Sequence, residues 1–364
     1  MTLQDPRGAS SYHHPGRGGE RERTNDLTTI DLHAHAIVPD ALTEMAGAHP
    51  DFGPSLLTED GTRYLSYPGR ARLGPLPEAI FDPDIRLADM DRKRVDVQII
   101  AIPPPNFHYH VPAEVGIDFA TIQNNHLIQL SDSRPERFHV FGTLPLQDIG
   151  ASLVEIARIA EEPQVRGVQM GTNINGVELD DPSLAPVWES LEDANLPVWF
   201  HPDQRSIAGP ERLSDYYLQN FIGIPLDSTI AAARLIFGGV IERYPSLRFG
   251  FCHGGGFAPY QIGRWHHGWG VRDEAREFVA EKGPRDYFST LYFDSLTHDA
   301  LSLELLGRRV GWDHVVLGSD YPFDMASTDP VAGVEAVGLS EDDMKMVLEG
   351  NAWQFLRPLE GKDQ

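Results

Sequence analysis

The sequence predicts an α/β fold, a (β/α)8 TIM barrel with inserted loops near the C-terminal face of its strands. Two observations predict it. Eight short apolar runs alternate with helix-period segments from residue 28 to residue 320, the pattern of parallel strands covered by crossover helices. Several of those runs end in residues able to hold a metal ion or move a proton: His33 with His35, then His201, His253 and Asp320. A closed barrel delivers the C-terminal ends of all its strands to one face, so residues this far apart in sequence would meet there.

Taken in order, residues 1–27 are rich in Gly, Arg, Ser, His and Pro without periodicity. They cannot offset the entropy of ordering and are expected to form a flexible arm, which makes His13 and His14 poor ligands. Residues 28–364 are then a single barrel domain. The first run, Thr28 to His33, closes on Asp31-Leu-His-Ala-His. Residues two apart on a strand share a face, so His33 and His35 can reach one ion. Residues 50–82 are too long for a turn and read as an insertion near the site.

A helix over Asp84–Arg94 precedes the second run, Val95 to Ile102. His108-Tyr109-His110 repeats the His-x-His spacing but lies beyond Pro103-Pro104-Pro105, which makes it a loop. Helices over Ala113–Ser131, Ala151–Glu161 and Ser183–Ala194 separate Phe138 to Leu144, Val165 to Met170 and Pro197 to His201. An insertion at 203–222 and a helix over Pro225–Glu242 lead to Leu247 to His253. A third insertion is expected at 264–288, before Leu291 to Asp294. Helices over Ala300–Leu306 and Glu341–Leu348 flank the last run, His314 to Asp320.

The 364 residues carry a formal net charge of −24 and are 41% hydrophobic. That is ample for a core, and its field repels phosphate backbones and anionic lipid, so neither nucleic acid nor a membrane is an expected partner. An anionic substrate has to be met by local arginines. Cys252 is the one cysteine, which excludes an intramolecular disulfide and fits a reducing interior. No apolar stretch is read as a membrane span and the first residues lack the core of a secretion signal, so the expected location is cytoplasmic.

The roles divide by chemistry. His33, His35 and His201 offer neutral imidazole nitrogens and Asp320 a carboxylate, leaving a position for water or substrate, as a catalytic site requires. One divalent ion is expected, Zn²⁺ first and Mn²⁺ as the alternative. His253 fits an acid/base role beside the ion, with direct contact to the ion left open. Asp320 or His253 would take a proton from metal-bound water, whose pKa the ion lowers.

The motifs Asp31-Leu-His-Ala-His, Asp84-Ile-Arg-Leu-Ala-Asp-Met-Asp, His253-Gly-Gly-Gly-Phe-Ala-Pro-Tyr-Gln-Ile-Gly-Arg264, Leu317-Gly-Ser-Asp-Tyr-Pro-Phe and Gly350-Asn-Ala resemble the amidohydrolase superfamily. The nearest branch is that of the aminocarboxymuconate-semialdehyde decarboxylases. The resemblance runs from about residue 30 to 357 and implies the barrel and the metal more firmly than the reaction. Many amidohydrolases bridge two metals with a carbamylated lysine after the fourth strand, but no lysine lies between Lys93 and Lys282. One ion per chain follows, and the fourth run ends instead in Gln169-Met-Gly-Thr-Asn173.

The resemblance implies a metal-dependent carboxy-lyase of a cyclic or unsaturated carboxylic acid, such as an aminocarboxymuconate semialdehyde or a hydroxybenzoate. The alternative is a hydrolase or hydratase using the same metal-bound water. It also implies that Arg264 holds a substrate carboxylate at a subunit boundary, in a homodimer or higher assembly, through the planar fork that suits carboxylates. A second family arginine aligns loosely with Arg63 or Arg70. Phe107 and Tyr109 are expected as an aromatic wall. Asp203 replaces the family's tryptophan after His201-Pro202, where it would either repel a polyanion or bind Arg205.

Overall fold

The computed structural model describes residues 27–70, 72–279 and 281–359, so all of the expected arm except Leu27 lies outside them. Eight parallel strands form one sheet: β1 (Ile30–His35), β5 (Val97–Ala101), β6 (Phe138–Gly142), β7 (Val165–Met170), β8 (Val198–Phe200), β9 (Phe249–Phe251), β10 (Tyr292–Asp294) and β11 (Val315–Val316). Each of the eight apolar runs supplies one strand. Their residues are buried throughout, which is why they read as continuous apolar runs and not as alternation.

The barrel closes between its last and first strands. Leu32 N–H donates to the Leu317 carbonyl at 2.9 Å, Asp320 N–H to the His33 carbonyl at 2.8 Å and His35 N–H to the Tyr321 carbonyl at 2.7 Å. The interior is filled by Ile30, Leu32, Ile99, Phe141, Trp199 and Val316, as a packed barrel requires. The short helix Asn351–Phe355 is packed into this core. Phe355 sets its ring against Trp199 at 5.6 Å and Tyr292 at 5.1 Å. A second core lies between the strands and the outer helices and holds Trp188, Phe249, Leu235 and Ile236.

Side-chain caps start several helices. Asp82 accepts from the N–H groups of Asp84 and Ile85 ahead of Pro83–Arg92, and Asp148 and Asp299 act likewise for Ile149–Ala160 and Ala300–Val310. The residues 50–82 contain a three-stranded antiparallel sheet, β2 (Ser55–Glu59), β3 (Thr62–Ser66) and β4 (Leu73–Leu76). The expected helix over 225–242 is two, Ile224–Phe237 and Val240–Arg243, broken at Gly239 with φ +70°.

Two expectations are corrected. The start of the insertion expected at 264–288 is helical, because Ala258–Val271 runs through it. Gly263, Gly268 and Gly270 weaken the helical signal there, and packing overrides them. One helical stretch, Gln219–Phe237, is long and apolar enough to cross a membrane by length and composition, although none was expected. Its apolar residues Ala231, Ala232, Leu235 and Ile236 are fully buried in the core between strands and helices, where a core helix passes the same test.

Candidate metal centre and its pocket

His33, His35, His201 and Asp320 converge at the C-terminal mouth of the barrel, each offering a ligand atom within 4.8 Å of the others. The imidazoles are oriented from behind. His33 Nδ1 lies 2.7 Å from Asp294 Oδ2, His35 Nδ1 lies 3.2 Å from the Ile102 carbonyl and His201 Nδ1 lies 2.9 Å from the Pro202 carbonyl. An acceptor on each Nδ1 keeps the hydrogen there and turns Nε2 toward the centre. All three Nε2 atoms are buried without a hydrogen-bond partner. Asp320 Oδ1 stands 3.3 Å from that of His33 and 3.2 Å from that of His35.

Buried nitrogens left bare in this way are costly unless something fills the space between them. A divalent ion fits the donor set, with three nitrogens and one carboxylate. The charges agree. Burial alone would lower the pKa of His33, yet the carboxylates of Asp320 and Asp294 hold it up to about 10. Burial opposes the charge on Asp320, but His33, His253 and His35 keep it well below the usual carboxylate range. Burial, with the neighbouring imidazoles, lowers His201 well below its ordinary value. Burial lowers His35 as well, so His35 and His201 are the neutral candidate ligands, while His33 carries a proton that an ion would displace.

Under this cluster runs a buried polar layer. Asp31 accepts from the N–H groups of His33 and Ser319 at 3.1 and 3.0 Å, from Ser319 Oγ at 2.5 Å and from Gln98 Nε2 at 3.0 Å. Arg86 donates to Gln98 Oε1 at 3.0 Å and to the His35 carbonyl. Burial brings the Arg86 guanidinium down to about 10. The Asp-x-His-x-His motif is thus tied to the Gly-Ser-Asp motif by the carboxylate that opens the first and the serine that precedes Asp320.

His253 follows β9 at φ +55°, and the glycines at 254, 255 and 256 continue with positive φ. A side chain on Gly256 would meet the Pro225 carbonyl at 1.9 Å, so only glycine permits this turn. The turn leaves His253 partly accessible, with Nε2 3.7 Å from Asp320 Oδ2 and its ring 5.0 Å from that of His201. Its Nδ1 lies 3.1 Å from Cys252 Sγ. His33, His201, Cys252 and His253 form a second group with metal-binding spacing, but burial holds the Cys252 thiol well above its ordinary pKa. A protonated thiol is a poor ligand, and the set with Asp320 is the better one.

Sequence reasoning missed Asp294. It ends β10 as His201 and Asp320 follow theirs, fully buried, and accepts from Gly254 N–H at 2.8 Å while its other oxygen holds His33. One carboxylate therefore sets both a ligand and the turn that carries His253. Asp294→Asn is expected to weaken metal binding about 10- to 100-fold, read by competition with a chelator. An unchanged dissociation constant would remove Asp294 from this role.

Two hollows open on the centre and share Asn220, Ile224, His253, Asp320 and Met325. The larger, of about 500 Å³, is walled by Phe221, Phe257, Tyr260 and Leu305. The narrower, of about 110 Å³, also touches His201, Pro104, Pro105, Tyr217 and Phe323. Arg264 is exposed on the helix Ala258–Val271 and lines neither hollow. Arg63 meets Glu78 at 3.1 Å and lies over the Phe81 ring, also away from both. Phe107 and Tyr109 stack on each other at 5.2 Å inside the core between strands and helices.

Of the two readings for Asp203, the structure has the pairing with Arg205, at 3.4 Å. Arg205 also donates to the Pro105 carbonyl and lies over the Tyr67 ring at 4.8 Å, tying three loops of the rim together. Gln169, near the end of β7, donates to the same Ile102 carbonyl that orients His35, at 2.8 Å. Tyr216 and Tyr217 are consecutive non-glycine residues at φ +57° and +61°. Backbone of this kind costs roughly 1–3 kcal/mol per residue and persists where the surroundings enforce it.

A family model described as amidohydrolase matches residues 30–357. The 2-amino-3-carboxymuconate-6-semialdehyde decarboxylase of Dictyostelium discoideum is 36% identical over 277 residues, covering 76% of this chain and 77% of that one. The protein of the same name from Caenorhabditis elegans is 29% identical and covers 93% and 96%. The crystal structure of a dihydroxybenzoic acid decarboxylase from Polaromonas sp. JS666, with bound manganese and the inhibitor 2-nitroresorcinol, superposes with a TM-score of 0.73. It has 22% identity and covers 90% of this chain and 96% of that one.

Proposed function

Starting from the fact that this chain belongs to the amidohydrolase family, we propose that it is a metal-dependent carboxy-lyase acting on a cyclic or unsaturated carboxylic acid. The observation that carries the reading is a complete centre, three bare imidazole nitrogens with Asp320 and His253 beside them, in a chain 36% identical to a decarboxylase. His33, His35, His201 and Asp320 would hold one divalent ion. When bound, it would act as a Lewis acid toward substrate oxygens and stabilise the negative charge that develops as the carboxylate leaves. The manganese of the dihydroxybenzoic acid decarboxylase favours a divalent cation, and the mixed nitrogen and oxygen donors suit Zn²⁺ and Mn²⁺ alike.

Loss of CO₂ breaks a C–C bond and leaves its electron pair on the substrate carbon, where a proton has to replace the carboxylate. His253 is placed to supply that proton. It is partly accessible and lines both hollows, with Asp320 on its inner side. Asp320 Oδ2 lies 3.7 Å from its Nε2.

Arg264 is exposed on its helix, so in this proposal it serves a substrate carboxylate across a boundary with a second copy of the chain, in a homodimer or larger assembly. Arg63 and the stacked pair Phe107 and Tyr109 stay in the proposal as supports of the substrate-facing loops. A single cysteine and the strong negative charge support work in the cytoplasm.

The test is a panel of aminocarboxymuconate semialdehyde, hydroxybenzoates and unsaturated lactones, followed by CO₂ release and product mass. The expected result is loss of CO₂ from one of the acids, and products that have gained water would overturn the reading in favour of a hydrolase or hydratase. With the substrate identified, Arg264→Ala should raise KM about tenfold or more, with partial recovery in Arg264→Lys because ammonium lacks the two-point fork.

A further inference from the structure

Tyr217 is one of the aromatic residues that wall the hollows in place of Phe107 and Tyr109. It lines the narrower hollow together with His201, His253 and Asp320, and Phe323 and Pro104 stand among the other walls. At about 110 Å³ the hollow alone is smaller than the roughly 150 Å³ that holds benzene, so a ring set against Tyr217 would extend into the adjoining larger hollow of about 500 Å³. The Tyr217 ring meets Phe221 edge-on at 5.3 Å, and its hydroxyl is in hydrogen-bond contact with Gln204. Burial and the carboxylates of Asp324 and Asp320 raise its pKa, so the hydroxyl remains a donor.

The backbone is bent to achieve this. Tyr216 and Tyr217 both occupy the left-handed region, yet Tyr216 is 86% exposed, so nothing about its own side chain calls for the conformation. What the pair accomplishes is to set the Tyr217 ring, itself 47% exposed, at the rim of the narrower hollow. The residues Gln219–Gly223 then form a widened i+5 turn, a device frequent at functional sites, and bring Asn220 into both hollows. Upstream, Arg205 fixes the start of the same loop against Pro105 and Tyr67.

We propose that Tyr217 is a specificity-determining residue, whose ring forms one face of a slot over the metal centre that selects planar, conjugated carboxylic acids over puckered ones. It rests on the carboxylate-substrate reading above and adds the residue that reads the shape of the substrate. Aromatic faces reward a flat partner through offset or edge contacts, which a saturated ring cannot match.

The experiment compares binding of 2-hydroxybenzoate and cyclohexanecarboxylate to the metal-loaded full-length chain by calorimetry. The wild type should prefer the planar acid by about tenfold, the scale of one aromatic contact. Tyr217→Gly should abolish that preference while raising the melting temperature, because it removes the ring and relieves the backbone together. Tyr217→Phe should keep the preference. Tyr216→Gly should raise the melting temperature and leave both affinities unchanged.

A Tyr217→Gly variant that keeps the planar preference would overturn the proposal. So would one that melts lower with both affinities intact, since the ring would then serve only the fold. Binding is read without turnover, so a chain that selects 2-hydroxybenzoate through Tyr217 but releases no CO₂ from any acid would support the slot and defeat the carboxy-lyase reading.

Discussion

Asp320→Ala and His35→Ala should leave the folded chain without its ion and lower turnover by roughly 10³-fold or more, because a bound ion contributes several kcal/mol of charge stabilisation in the transition state. The wild type should carry about one divalent ion per chain by elemental analysis, the occupancy of a single four-ligand site. Asp320 is the more severe loss. Its carboxylate faces His33 and His35 at 3.3 and 3.2 Å and His253 at 3.7 Å, so its removal leaves imidazoles without their counter-charge as well as removing a ligand. Undiminished metal content in both folded variants would defeat the ligand assignment.

The pH dependence of loading has a definite sign. Without an ion, His33 holds its proton up to about 10, so throughout the neutral range the incoming cation has to expel it. Affinity should climb as pH rises, with proton release, and should fall in acid. Calorimetry in two buffers of different ionisation enthalpy reads the released proton directly.

The second large effect belongs to His253. His253→Asn should retain most of the metal and lose roughly 10²–10⁴-fold in kcat, the usual contribution of a positioned general acid. The split follows from geometry. His33, His35 and His201 have fully buried Nε2 atoms, with Asp320 3.3 and 3.2 Å from the first two, whereas His253 is partly accessible and its Nε2 stands farther from Asp320, at 3.7 Å. Near-normal kcat would refute the proton-transfer role, and loss of metal along with activity would make His253 a ligand.

The eight strands were legible because a strand buried on both faces has to be apolar along its length, whatever surrounds it. The candidate ligands were legible for a related reason. Histidine directly after such a run, as in Phe200-His201, is polar where the barrel ends, and the fold brings those positions together. Asp294 ended its run in the same way and was passed over because its contribution is a contact to His33 Nδ1, which spacing does not encode. Phe107 and Tyr109 looked like a wall because aromatic side chains suit pockets and cores equally, and the core took them.

Tyr217 left no mark in composition at all, since its signal is a pair of backbone angles. The helix Ala258–Val271 was obscured by its glycines. The antiparallel sheet within residues 50–82 was hidden because its strands are short and half exposed, which gives them neither a long apolar run nor a clean alternation.

The candidate ligands straddle the line along which the barrel's two ends meet. His33 and His35 end the first strand, Asp320 follows the last, and backbone hydrogen bonds from Asp320 to His33 and from His35 to Tyr321 are among those that join the strands. An ion gripping both sides would act as a buckle on that line, closing a loop that spans most of the chain. The barrel would stay openable while the polypeptide is made and lock only when its last strand has arrived and the metal is in place. Chelation should then unfasten the molecule at this line first, exposing the first and last strands to amide exchange and proteases while the strands opposite stay protected.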